Sequence, residues 1–229
     1  MTTTMSTTIV AISRQFGSGG ARIGQAVAQR LGFQYADRSI LAEAAARLRV
    51  DSADIEPLEE HSASVWARIG KLFALGSPDT PFIPPTLPTV SESDVFAAER
   101  QVIESIAAHG NAVIVGRGAP HILTGPNVIR VFLHAPIEDR IQLAMQEYAM
   151  TDPVAARMVL EDSDRARAQF ARSVTKHDWC DATLYDLSLN TSAFGLDRAV
   201  ELIVDLVQRP PAAPLPPMTP RTSDARVSS

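Results

Sequence analysis

The sequence predicts an α/β fold, a five-stranded parallel sheet with helices on both faces, and three observations predict it. The apolar runs 9–12 and 112–115 are continuous rather than alternating, and 128–133 is broken only by Arg130, as in strands buried on both faces. Segments of helical period separate the runs, which calls for crossover connections of the usual right hand. Glycines and charged residues collect just after the runs, where ligands sit in such sheets.

Taken in order, the first strand breaks at Gly17-Ser18-Gly19-Gly20, and Ile23, Ala26, Val27 and Arg30 follow with helical spacing until Gly32 stops the helix. Residues 33–35 form a short second strand that delivers Asp37 and Arg38 at its carboxyl end. The alanine-rich segment 39–48 is helical. Asp51 or Ser52 caps another helix to about residue 75, with Val65, Ile69, Leu72 and Phe73 as its apolar face. Five prolines in 76–89 forbid a helix and favour an extended loop, either a tolerated insertion or a segment bordering a ligand. A helix from Ser91 or Ser93 to His109 turns Val95, Phe96, Val102, Ile103 and Ile106 inward. The third strand, 112–115, ends at Gly116-Arg117-Gly118. The fourth, 128–133, leads into a helix whose Glu138 and Asp139 suit the positive end of its dipole. Asp152-Pro153 starts a long helix to about residue 174, 184–189 is the last strand, and 196–207 the closing helix. Residues 1–7 and 210–229 lack a core-forming pattern and are expected to be disordered, leaving one domain over 8–209.

Composition narrows the function classes. With 45% apolar and 21% charged residues in 229, the chain suits a single globular domain with a real core. A net charge of −5 without a basic stripe argues against nucleic acid as a partner. The single cysteine, Cys180, excludes an intrachain disulfide and fits a reducing compartment. The Thr/Ser-rich start lacks the pattern of a signal peptide, and no apolar run approaches the roughly 20 residues of a membrane helix, so the expected location is the cytoplasm, away from membranes. No Cys/His cluster suggests a metal site, and nothing indicates an oligomeric state.

Strand, glycine turn, helix gathers backbone N–H groups at a helix N-terminus, where the macrodipole favours an anion such as phosphate. The same text also suits an ordinary turn, and it lacks the lysine of the G-x-x-x-x-G-K-[ST] pattern, since Ala21 and Arg22 follow the last glycine. Arg117, between two glycines, either binds a phosphate bidentately or locks its loop by a salt bridge. On the long helix Glu161, Asp162, Asp164, Arg165, Arg167 and Arg172 form either a solvated face or an arginine-bearing cover over a transferring phosphoryl group, and Asp164 can pair with Arg167. His134, Trp179 and Tyr185 read as packing residues, and Met145, Met150 and Met158 as helix-face filler.

Three motifs, I-S-R-Q-F-G-S-G-G-x-x-I-G, V-G-R-G and Y-D-L-S-L-N-T-S, together resemble the cytidylate kinase-like family of P-loop nucleoside monophosphate kinases over about 8–208. The resemblance implies a helical insertion for the acceptor at about 38–110, containing the Pro-rich loop 76–92, and a lid at about 150–180. It implies that Gly17, Ser18, Gly19, Gly20 and Ala21 wrap the phosphates of ATP, flanked by Ser13 and Arg14. Asp37, Arg38 and Arg117 would bind the acceptor nucleotide, and Asn190 and Thr191 would lie near the base. Family members carry a lysine where Ala21 stands and an acidic residue where Gly118 stands. The lysine's task then falls to Arg14 or Arg22, with Asp164, Arg165 and Arg167 acting from the lid. The implied activity is ATP- and Mg²⁺-dependent phosphorylation of a nucleoside monophosphate, CMP or dCMP. The alternatives are a nucleotide-binding regulator with little turnover and a P-loop kinase for another small metabolite.

Overall fold

The computed structural model describes residues 7–37, 92–116 and 118–209. Its elements are β1 (Ile9–Arg14), α1 (Gly20–Leu31), β2 (Gln34–Ala36), α2 (Glu92–His109), β3 (Ala112–Val115), α3 (Ala119–Ile122), β4 (Val128–His134), α4 (Ile137–Glu147), α5 (Pro153–Thr175), β5 (Leu187–Asn190), α6 (Thr191–Phe194) and α7 (Leu196–Gln208). The five strands lie in the order β2-β3-β1-β4-β5, every neighbouring pair parallel. The fold is therefore the parallel α/β class that the continuous apolar runs predict.

β1 is the central strand, with Ile9 opposite Ala112 of β3 on one side and Val128 of β4 on the other. Strand period distributes its residues between two cores. Val10 and Ile12 pack with Val113, Val115, Val131 and Leu133 against Ile23 and Val27 of α1 and Val200 and Ile203 of α7. Ile9 and Ala11 pack with Ala112 and Ile114 against Val102, Ile103 and Ile106 of α2. Each fully buried aliphatic side chain contributes about 1.5–3 kcal/mol of transfer free energy, so both sheet faces need their helices. A smaller cluster of Phe16, Ile141, Ala144, Ala156 and Leu160 joins the turn after β1 to α4 and α5. Caps behave as their chemistry dictates: Gly32 ends α1 in the left-handed region, and the Asp152 carboxylate accepts the Val154 N–H at 2.9 Å to start α5.

Three expectations are corrected. The second strand lies one residue later than 33–35. The last begins only at Leu187, because the Asp181 carboxylate accepts the Thr183 N–H and the Tyr185 hydroxyl donates to the Trp179 carbonyl, which winds Ala182–Leu184 into a 3-10 turn. Met158 is exposed rather than packed. The helices expected at 39–48 and 51–75, the loop 76–92, Arg38, Arg117, the side chains of Val95 and Phe96, and both terminal segments lie outside the described residues. Among the described residues no helix is long and apolar enough to cross a membrane.

Candidate phosphate-binding site

The glycine turn is built from its neighbours inward. Gln15 N–H donates to the Leu133 carbonyl at 2.9 Å, and the Ala135 N–H returns a bond to the Gln15 side-chain oxygen at 3.2 Å, fastening the turn's entrance to β4. The Ser18 hydroxyl donates to the Gln15 carbonyl at 2.9 Å, so this side chain closes the turn from within. The first ladder bond of α1 is Ile23 N–H to Gly19 C=O at 3.0 Å. The amides of Gly20, Ala21 and Arg22 are therefore upstream of the ladder, gathered at the positive end of the helix dipole. Such a corner is suited to binding an anion.

Arg14, the last residue of β1, is only 7% exposed and runs sideways from that corner. An ideal Cβ on Gly20 would stand 2.5 Å from Arg14 Cγ, and one on Gly116 would stand 2.0 Å from its Nη1. Only residues without a side chain leave the guanidinium this path, from the first turn of α1 to the end of β3. A buried cation beside a helix N-terminus places two sources of positive potential together, the electrostatics of a phosphate site. Asp37 is buried at the carboxyl end of β2 and accepts the Tyr35 hydroxyl at 3.3 Å. Across the sheet order, Arg14 ends β1, while Gly116 and Asp37 directly follow β3 and β2.

The arginine-bearing helix divides its cations. Asp164 of α5 accepts the Phe16 N–H at 2.9 Å and is paired with Arg140 of α4 at 2.6 Å and Arg167 at 3.5 Å. Arg167 is mostly buried and sits 5.4 Å from the Phe16 ring centroid. Arg165 is exposed and paired with Asp162. Arg22 is exposed as well, its side chain 3.4 Å from Glu147. Of the cations singled out in the sequence, Arg14 and Arg167 thus reach the turn through buried side chains, while Arg22 and Arg165 are held by surface carboxylates. Arg140 escaped the sequence reading. Its signal was an arginine in the opening turns of a helix otherwise acidic at its start.

Asn190 and Thr191 stand directly after β5, with their side chains in local service. The Asn190 side-chain Oδ1 accepts the Ser192 and Ala193 N–H groups at 3.1 and 3.3 Å, and the Thr191 hydroxyl donates to the His134 main-chain carbonyl at 3.3 Å. Ser192 bonds Asp139 of α4. Beyond Arg14, Ser13 meets the Tyr185 hydroxyl, which packs with Trp179 on Phe132. Burial pushes the Tyr185 phenol up to about 12, against the opposing effect of the Ser13 bond. Tyr185 lies 3.4 Å from the His121 ring, and burial, with His177 and Arg130 nearby, holds that imidazole below its usual value. Trp179 and Tyr185 are packing residues, as expected, and His134 stacks on Phe132.

Comparison with known proteins agrees with this architecture. The family model described as the cytidylate kinase-like family matches residues 9–193. A cytidylate kinase of Halobacterium salinarum is 28% identical over 109 residues, 48% of this chain and 56% of that protein. The chain thus spans about half the length of that relative. The crystal structure of an uncharacterized protein from Eubacterium ventriosum superposes with a TM-score of 0.64 at 20% identity, covering 87% of this chain and 98% of the other, a likeness of fold alone. A shikimate kinase from Bacteroides thetaiotaomicron covers 89% of this chain and all of its own, with a TM-score of 0.47 and 15% identity, and adds nothing further.

Proposed function

The chain belongs to the cytidylate kinase-like family, and on that premise we propose that it transfers a phosphoryl group from ATP to a nucleoside monophosphate, CMP or dCMP. The observation carrying this reading is the corner after β1: three amides upstream of the α1 ladder, with the Arg14 guanidinium buried beside them. The donor phosphates fit there. Arg14, delivered from the strand, takes the part played by the missing lysine. The Ser18 hydroxyl is committed to the Gln15 carbonyl, and among the described residues no three His, Cys, Asp or Glu side chains gather into a metal site. The Mg²⁺ that fits this donor set is one arriving on the nucleotide's own phosphates, where it would neutralise charge on the oxygens.

Phosphoryl transfer asks a protein for positioning and charge stabilisation rather than covalent chemistry. The α1 amides orient the donor, and Arg14 offsets charge developing between donor and acceptor. Asp37, at the carboxyl end of β2, and Arg117 hold the acceptor, and α5 with its flanks excludes water. The protein is expected to work in the cytoplasm on small nucleotides.

A coupled assay with ATP–Mg²⁺ and each nucleoside monophosphate tests the reading: ADP release that depends on CMP or dCMP supports it. ATP binding without ADP release would make the chain a nucleotide-binding regulator, a reading that the absent lysine favours. ADP release dependent on a non-nucleotide acceptor would make it a metabolite kinase.

A further inference from the structure

We infer that Arg140 and Asp164 are positioning residues, a largely buried ion pair that holds the backbone of Phe16 and so presets the glycine turn for its anion; the ligand named here rests on the nucleotide reading above. The Asp164 carboxylate accepts the Phe16 N–H at 2.9 Å with one oxygen and takes Arg140 Nη1 at 2.6 Å with the other. The same Nη1 donates to the Phe16 carbonyl at 3.1 Å, and Arg140 Nε donates to the Ala135 carbonyl at 3.0 Å. Both polar main-chain atoms of one residue are thus held by the two halves of one ion pair, from positions 148 and 124 residues away. The ring is held too, stacked on Tyr148 at 5.3 Å with Arg167 5.4 Å from its centroid.

Phe16 immediately precedes Gly17, so fixing its peptide dipoles fixes the direction in which the following amides emerge. A buried ion pair is a poor device for net stability compared with apolar packing of equal volume. Its directed bonds are well suited to holding a main chain in one orientation. The pair also gives Asp164 a task besides the one its place in an arginine-rich helix suggests, since its carboxylate holds the main chain at the entrance of the turn. Because Asp164 belongs to α5, a shift of that helix must move Phe16, which couples the long helix to the donor loop.

Asp164→Asn keeps an oxygen for the Phe16 N–H but removes the charge facing Arg140, and Arg140→Lys keeps charge while losing the forked contacts. For each variant, calorimetry with ADP–Mg²⁺ and separately with CMP, hydrogen exchange at the amides of 17–22 in the free protein, and the melting temperature are measured. The expected result is weaker ADP binding, by up to roughly 100-fold, with CMP affinity at the wild-type value and faster exchange at 17–22. The double variant should lose no more ADP affinity than the worse single one, as members of one unit do. Unchanged exchange at 17–22, or ADP and CMP affinities falling together with the melting temperature, would overturn the proposal. Should Asp164→Asn fail to fold, Arg140→Lys carries the same measurements. If the wild-type protein binds neither nucleotide, the nucleotide reading fails, and the exchange measurement still decides whether the pair positions the turn.

Discussion

Arg14 Nη1 lies where a side chain on Gly116 would have to stand, 2.0 Å from the ideal Cβ position. The V-G-R-G text therefore has a steric cause: its first glycine, at φ 89°, admits an arginine from the neighbouring strand. Gly116→Ala should strain the backbone by about 1–3 kcal/mol and push the guanidinium aside. The measured outcome is a modest fall in melting temperature with a disproportionate loss of kcat/KM. A fall in stability alone would mean that the placement of Arg14 is incidental.

Arg14→Met retains length and apolar stem but removes the charge. If the cation stabilises the transferring group, kcat should drop roughly 100- to 1,000-fold. Arg22→Ala, which removes an exposed guanidinium paired with Glu147, should cost far less. Steady-state kinetics on both variants rank the two candidates, and a larger loss from Arg22→Ala would reverse the assignment.

His121 supplies a pH dependence of stability. Burial, then His177 and Arg130, lowers its value in the fold below the ordinary 6.5, so the unfolded chain binds the proton more readily. The stabilising contribution is present above about 6.5 and is lost as pH falls through the lowered value of the folded state. Thermal melts from pH 7.5 to 5 should show a decline that His121→Gln flattens. Parallel curves for the two proteins would show that other groups govern acid sensitivity.

Cys180 is exposed, yet partial burial of its thiol, with the Asp178 and Asp164 carboxylates nearby, pushes it up to about 11. Little thiolate then exists at neutral pH, and the thiolate is the reactive form. Iodoacetamide should modify the native protein slowly at pH 7.5, faster as pH rises, and faster still after unfolding in urea. Rapid native modification with a plateau below pH 9 would contradict that environment.

The sheet was legible in the chain because burial on both faces leaves a local signature: runs such as 112–115 are apolar at every position. The start of β5 was not, because the text around Tyr185 alternates like a strand, and only the bond from its hydroxyl to Trp179 shows that these residues turn. The glycine corner could be read as an anion site from three glycines after a strand. Which arginine serves it could not, since Arg14, Arg22, Arg165 and Arg167 look alike in one dimension.

By itself, then, the sequence determined the parallel α/β class and put the candidate site at the strand ends, since both readings follow from local periodicity and from glycine's freedom near the main chain. Tertiary structure alone decided the partners. Arg14 crosses Gly20 toward Gly116, and Arg140 with Asp164 grips Phe16. The contacts of Arg14 with Gly116 and of Arg140 and Asp164 with Phe16 join residues more than a hundred positions apart, and their geometry depends on how β1, β3, α4 and α5 pack, which no local pattern encodes.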